Sequence, residues 1–525
     1  MITALNSATF IGIEAVLVNV EVFITNGIPG VMIVGLPDIS TKEAKDRVKA
    51  AIKNSGFEYP VKKITINLAP ADLKKEGPLF DLPLALGILI AAGLLKCLLN
   101  LDDYIIAGEL SLDGKIKKVN GIIALGILAK KLGKKLIISY EDISSVKFLE
   151  VEFFGFARLK DVCAFISGMA KIKHPAENTD NKKLFFSEIL IAENNNNNRS
   201  ADEEKYPDFS DIKGQVLAKR AILTAVSGHH NILMIGPPGS GKTMLAQSIA
   251  GIQPNLSLEE SIETSNIYSF SNKKARMAGL ILRRPFILVH HTVSVAGLIG
   301  GGASNPLPGD ISLAHNGVLF IDEFSELSKK TLDSLRQPME DKSINLSRSR
   351  FSIVLPCDFM LVAAMNPCPC GYYGDANHEC KCSSSEIYRF YTKLSGPILD
   401  RFDIFIEVYP PYLDELTAGG KTANSAEIKE LIERTRRVQL KRFQNAGIRF
   451  NARIKSSDIE KYFNISKSAL ELVKSAVKKL NISSRGYYRI LKVSRTIADL
   501  DQKDGIDEDS VLEALNYKNT KSLRV

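Results

Sequence analysis

The stretch "NILMIGPPGSGKTMLAQSIA", Asn231–Ala250, decides the fold. Asn231–Ile235 is a short, mostly apolar run, as a buried strand requires. Gly236, Pro237, Pro238, Gly239, Ser240, Gly241, Lys242 and Thr243 follow, and a helical pattern begins behind them. Strand, glycine loop, helix is the context in which a phosphate-binding loop works. Its glycines let backbone N–H groups turn inward around phosphate oxygens, and the helix N-terminus adds partial positive charge. In this reading Lys242 reaches the β- and γ-phosphates and the Thr243 hydroxyl holds Mg2+.

Two further strands complete the pattern. In "GVLFIDEFSEL" the apolar run Val318–Ile321 ends in Asp322 and Glu323. Asp322 is placed to orient Mg2+ through water, and Glu323 to polarise an attacking water as general base. Paired carboxylates at a strand end also occur as helix caps. The third run, "FMLVAAMN", ends in Asn366, either a turn residue or a contact to the γ-phosphate or its water.

The whole chain sets the bounds. At 525 residues it is too long for one compact core. Its 45% hydrophobic and 24% charged residues are globular in proportion. Met1 to Pro29 carries no basic leader, and no run reaches the ~20 apolar residues of a membrane helix. A cytoplasmic protein without disulfides is expected. Two composition breaks, the polar Lys171 to Lys205 and the Gly-, Thr- and Ala-rich Leu416 to Ala426, leave an N-terminal block (1–170), a linker (171–205), an α/β block (206–415) and a helical block (416–525). From Ala418 to Val525 there are 23 Lys+Arg against 13 Asp+Glu, while the remainder is nearly neutral. Such a segment suggests a polyanionic partner, or only a solvated helical face.

"HHTVSVAGLIGGGASNPLPGDISLAHNGVLFIDE", "AAMNPCPCGYYGD" and "SGPILDRFD" are longer and more specific than a P-loop. With them the chain resembles, over nearly its whole length, the Mg-chelatase-like AAA+ ATPases of the ComM/YifB family. The resemblance implies an α/β AAA+ core with pore insertions, a Lon-protease-like α+β domain before it and a helical lid after it. It implies ATP and Mg2+ as cofactors. It matches Arg401 in "GPILDRFD" to an arginine finger that reaches a neighbouring subunit's ATP, and Arg485 in "SSRGYYRIL" to a lid sensor. A finger acting in trans requires an oligomer, and the family forms hexamers. The implied function is an ATP-driven DNA motor, a helicase or branch-migration translocase acting on recombination intermediates in natural transformation or general recombination. The rivals are a chelatase-type subunit that remodels a protein for Mg2+ insertion, and a slowly hydrolysing ATP-regulated scaffold.

Two insertions would line the pore. Arg284 to Gly302 includes the glycine-rich "GLIGGGAS", and Met339 to Pro356 reads as a β-hairpin. Lys342, Arg348 and Arg350 are its candidate DNA-contacting cations, which would hold a phosphate backbone without reading sequence. The alternative is a subunit-contact hairpin. In "RPFILVHH" Ile287 stands where the family carries arginine, and His290 and His291 have no assigned role. In the N-terminal block, "EGPLFDLPLALGIL" and "AGELSLDGKIKKVNGIIAL" resemble the stretches that carry Lon's serine and lysine. Here those positions are Leu79 and Ile123, so no peptidase dyad is expected.

Cys368, Cys370, Cys380 and Cys382 lie in "NPCPCGYYGDANHECKC". Four thiolates, or three with His378, would bind structural Zn2+ tetrahedrally. Free thiols and a redox pair are the alternatives.

Overall fold

The computed structural model describes residues 2–169, 206–271, 279–302, 306–348, 351–375, 378–394, 396–411, 423–444 and 446–518. The polar linker and most of the second break lie outside them. The chain forms two compact units. One comprises Met1–Asn198, Ser257–Leu282 and Ala303–Leu307; the other comprises Arg199–Leu256, Arg283–Gly302 and Pro308–Val525.

The first unit is built on a seven-stranded mixed sheet. Its strands are β1 (Ile2–Ile11), β2 (Glu14–Thr25), β3 (Gly30–Val34), β4 (Lys63–Ala69), β5 (Tyr104–Ile106), β6 (Lys135–Ser139) and β7 (Phe153–Phe156), in the order β3-β4-β2-β1-β5-β6-β7. β1 and β2 form a long antiparallel hairpin from Ile2↔Phe23 to Ile11↔Glu14. The helix Asp81–Ala91 lies so close to it that a Cβ on Gly87 would meet Val22 at 2.6 Å and Leu5 at 2.9 Å. The apolar run that begins at Tyr104 ends as a strand at Ile106. There the Gly108 N–H turns away to the Leu79 carbonyl, and Glu109–Leu110 pair with Ile116–Lys117 instead.

The helix Leu258–Ser269 also belongs to this unit, although it directly follows the P-loop helix in sequence. Ser257 and Glu260 close a reciprocal capping box at its start. Asn266 donates to the Ile13 carbonyl, and the Phe270 ring stands edge-on to Phe10 at 5.1 Å.

The second unit holds a five-stranded, wholly parallel sheet. Its strands are β8 (Ile232–Ile235), β9 (Phe286–Val289), β10 (Val318–Ile321), β13 (Met360–Met365) and β14 (Ile404–Glu407), in the order β9-β10-β13-β8-β14. A separate hairpin, β11 (Ser343–Arg348) with β12 (Phe351–Pro356), precedes β13. Most of these strands are buried on both faces, as parallel strands covered by helices should be. β9 occupies the first part of the expected insertion Arg284–Gly302: its apolar run Phe-Ile-Leu-Val pairs with β10 as an edge strand.

Four longer helices follow: Ser425–Arg442, Lys467–Lys479, Ser484–Leu500 and Glu508–Asn516. Ile432, Ile490, Ile497 and Val511 form their buried stripe. Asp499 lies wholly buried among cations, accepting from Arg442, Arg495 and Asn451. Arg436 and Arg495 are buried, Arg453 pairs with Asp358, and Arg489 with Asp403. Part of the positive charge counted in the sequence is therefore spent on internal pairs, while residues such as Arg434, Arg437, Lys441, Lys474, Lys478 and Lys479 remain exposed.

Candidate active site

The phosphate-loop residues take the shape their sequence demands. At Gly236 a Cβ would lie 2.0 Å from the Val408 carbonyl oxygen, so only glycine fits between β8 and β14. Gly239 (φ 76°) and Gly241 (φ 87°) occupy the left-handed region that glycine enters without strain. Lys242 opens the helix Lys242–Ile252. Its ammonium is buried and donates to the Gly236 and Pro237 carbonyls, each at 2.8 Å, and reaches Asn366 Oδ1 at 3.5 Å. Burial lowers its pKa. An ammonium held by neutral carbonyls keeps its charge for an anion.

Three parallel strands end side by side. Ile235 pairs with Met365, and Ile321 with Ala363, so Asn366 and Asp322 emerge next to the loop. The Thr243 hydroxyl donates to Asp322 Oδ2 at 2.8 Å. This hydroxyl and carboxylate are hard oxygen donors that fit Mg2+. Glu323 adopts a left-handed backbone, φ 50° and ψ 46°, uncommon for a residue with a side chain. Its Oε2 stands 2.6 Å from His291 Nδ1. The sequence reading missed His291. It also missed Gln215, whose side-chain amide donates to the Tyr409 carbonyl and approaches that of Ser240.

Arg401 and Arg485 come from different elements and meet at one carboxylate. Arg401 Nη2 lies 2.8 Å from Glu340 Oε1, and Arg485 Nη1 lies 3.2 Å from the same oxygen. Arg401 is buried and donates also to the Arg336 and Pro397 carbonyls, whereas Arg485 is exposed. In this chain the Arg401 guanidinium is thus turned inward. Nothing in the sequence marked Glu340.

The four cysteines after Asn366 gather. Cys368 Sγ lies 3.3 Å from Cys370 and 3.7 Å from Cys380, and Cys370 lies 3.6 Å from Cys380. With Cys382, all four sulfurs fall within 4.8 Å of one another, and none is in a disulfide. A ZnS4 tetrahedron with Zn–S of about 2.3 Å has edges of about 3.8 Å, so the set fits. His378 is not part of it: its ring lies tilted against Tyr372 at 4.8 Å and faces Asp375. Backbone N–H groups, led by that of Tyr372, pull the Cys370 thiol down to about 6. The cluster's loop also touches the phosphate loop, since a Cβ on Gly371 (φ 89°) would meet Pro238 at 2.9 Å.

Comparison with known proteins accounts for this layout. The family model for magnesium chelatase, subunit ChlI, matches residues 208–416. Models for subunit ChlI of Mg-chelatase and for the ChlI C-terminal part match residues 20–142 and 422–518. The chain is 41% identical to YifB of Escherichia coli over 97% of its own length and 95% of the relative's. It is 40% identical to competence protein ComM of Haemophilus influenzae, over 98% and 96%. The chain belongs to the Mg-chelatase-like ComM/YifB family. It is thereby an AAA+ protein of the ATPase class. A more distant relative, the DNA replication licensing factor Mcm6 of Drosophila melanogaster, is 23% identical over 58% of this chain and 34% of its own.

The hairpin of this ComM/YifB-family chain has Arg348 at the end of β11, opposite Phe351. Arg350 lies outside the described residues. Lys342 precedes β11. It sits at the hairpin base with φ 57°, its ammonium donating to the Met339 carbonyl, and burial lowers its pKa to about 7. Leu79 and Ile123 are both buried in the first unit's core. Among the described residues no helix is long and apolar enough to cross a membrane.

Proposed function

We propose that this protein is an ATP-driven DNA motor. It works as a hexameric ring in the cytoplasm, moving branched or single-stranded recombination intermediates as a helicase or branch-migration translocase, in natural transformation or general recombination. The observation that carries the ATP-driven part is the convergence of Lys242, Thr243, Asp322 and Asn366 from three adjacent strand ends. In this reading Gly236–Thr243 wraps the phosphates, Lys242 binds the β- and γ-phosphates, and Asn366 touches the γ-phosphate or its water. Glu323 takes a proton from that water. Mg2+, held by Thr243 and Asp322, would neutralise phosphate charge.

Arg401 serves a neighbour's nucleotide as the finger, and Arg485 contacts nucleotide in the ring as the lid sensor, once ring assembly draws them from Glu340. Support for DNA comes from the names of two relatives, a competence protein and a DNA replication licensing factor. Arg348, which ends β11, and Arg350, two residues further along the sequence, would meet the phosphate backbone. Lys342 faces the hairpin base and is not included. Cys368, Cys370, Cys380 and Cys382 hold a structural Zn2+ that fixes the loop between Asn366 and the Arg401 segment. The N-terminal unit is a Lon-like scaffold without peptidase chemistry, with the apolar Leu79 and Ile123 at the dyad positions. The helices after residue 423 act as the lid.

The chelatase descriptions of the matching family models favour one rival, a subunit that remodels a protein partner for Mg2+ insertion. ATP turnover with and without single-stranded and four-way-junction DNA separates the two, with Glu323→Gln as blank. DNA stimulation that vanishes in the variant supports the motor. Turnover indifferent to DNA but raised by a protein partner supports the rival.

A further inference from the structure

A cavity of about 270 Å³ lies in the stretch between the helices Ser425–Arg442 and Lys467–Lys479, and Arg453, Lys455 and Lys461 line it against a single carboxylate, Asp458. Lys455 and Lys461 are exposed, and neither forms an ion pair among the described residues. The Lys461 ammonium lies over the Tyr462 ring, 5.1 Å from its centre. Arg453 is held differently. Its Nε and Nη2 lie 2.8 and 2.6 Å from Asp358 Oδ1, and Nη2 also donates to the Phe359 carbonyl at 3.0 Å. Asp358 therefore grips the guanidinium along one edge and fixes its plane. Nη1, on the other edge, has no hydrogen-bond partner among the described residues and is not shut off from solvent. The space that Arg453 borders there is the cavity.

The same contact places the cavity beside the hairpin. Asp358 lies between β12 and β13, and Cys357 before it donates to the Lys342 carbonyl at the hairpin base. A ligand in the cavity would thus lie next to the hairpin's root. Three cations against one carboxylate leave positive charge that no neighbouring group neutralises. A guanidinium fixed in its plane offers directed N–H groups, and two mobile ammonium groups adapt around it. That combination suits the non-bridging oxygens of a phosphodiester. Contacts of this kind hold a backbone without reading its bases.

We propose that this cavity is a further DNA-backbone site, in which Arg453, Lys455 and Lys461 hold phosphodiester oxygens beside the hairpin root. The proposal rests on the reading of the protein as a DNA motor. Binding of the full chain to a fluorescent oligothymidine, followed by anisotropy from about 50 to about 200 mM salt, tests it. Wild type is compared with a Lys455→Ala, Lys461→Ala double variant and with a Lys474→Ala, Lys478→Ala control, which removes two exposed cations elsewhere in the same segment. In the first variant the slope of log K against log salt should shrink by about 1.4, two contacts at about 0.7 each on a single strand, and affinity at about 0.1 M salt should fall about 25-fold. The control should stay within about twofold of wild type. Wild-type slope and affinity in the first variant, with thermal unfolding at the wild-type temperature, overturn the proposal. So does an equal loss in the control, which would mark a diffuse effect of net charge rather than a site. Titration calorimetry with pyrophosphate covers the other source of the same chemistry. Pyrophosphate binding that disappears in the first variant, with DNA affinity unchanged, assigns the cavity to a free phosphate and overturns the DNA assignment. A wild type that binds neither oligothymidine nor junction DNA refutes the motor reading itself, a failure distinguishable from that of the cavity.

Discussion

Removing one sulfur from the cysteine cluster is the sharpest test of the zinc assignment. Three sulfur separations, 3.3, 3.6 and 3.7 Å, lie near the about 3.8 Å edge of a ZnS4 tetrahedron. Protein purified under reducing conditions should therefore carry about one zinc per chain, since apparent affinities of such sites are high. Thiol titration gives an independent number. All seven cysteines are free, but Cys163 and Cys357 are buried, leaving half-buried Cys97 as the accessible thiol outside the cluster. The native, metal-loaded chain should show at most one accessible thiol, and a slow one, because burial raises the pKa of Cys97. Displacing the metal with an organomercurial should release the zinc and expose the four cluster thiols together. Cys380→Ser should lower zinc to a small fraction and raise the KM for ATP, because Gly371 of the same loop abuts Pro238. A reduced, folded wild type with no zinc and with Cys370, Cys380 and Cys382 reacting in the native state would refute the reasoning, as would full zinc occupancy in a Cys370→Ser, Cys380→Ser double variant.

Arg401→Ala should cut turnover by about 10³-fold while leaving ATP binding by the isolated chain intact, as measured by titration of a fluorescent nucleotide; equal loss of binding would place Arg401 in its own subunit's site. Asp499→Asn strips the countercharge from Arg442 and Arg495 and should cost about 3–5 kcal/mol in urea unfolding, whereas an effect under about 1 kcal/mol would show that the cluster is solvated. Lys342 has its folded pKa lowered from 10.5 to about 7, so the unfolded chain binds the extra proton between those values. Stability should rise with pH across that window, and Lys342→Met should flatten the rise; an identical slope in the variant would assign it to other groups.

The parts legible in the sequence are those set by local order. A strand, a glycine loop and a helix could be read from Asn231–Ala250 because each signal lies within a few residues of the next. Asp322 and Asn366 were readable as polar residues ending apolar runs. Their alignment with the loop follows from parallel pairing, which an α/β pattern already implies. His291 and Glu340 were not legible for the opposite reason. Each gains meaning from a partner far off in sequence, through strand register in one case and side-chain convergence in the other. The C-terminal charge count leaves out placement: it records how many cations a segment carries, not that Arg436 and Arg495 are buried while most of the others reach solvent. The break in Tyr104–Leu110 was invisible because the competing partner, the Leu79 carbonyl, comes from elsewhere in the chain.

The helix Leu258–Ser269 bears on how such a protein could be inherited or engineered. It is encoded immediately behind the P-loop helix, yet it fills a place in the other unit against Phe10, Ile13 and Gly121. No single cut in the gene separates the two units. A fragment ending near residue 170 would leave the Phe10 ring without Phe270 and the Ile13 carbonyl without the Asn266 amide. A nucleotide-binding fragment starting near residue 206 would carry a helix stripped of the surface it covers. Recombination that shuffles whole domains as beads on a string would break both partners here, so the two are expected to travel through evolution as one indivisible cassette.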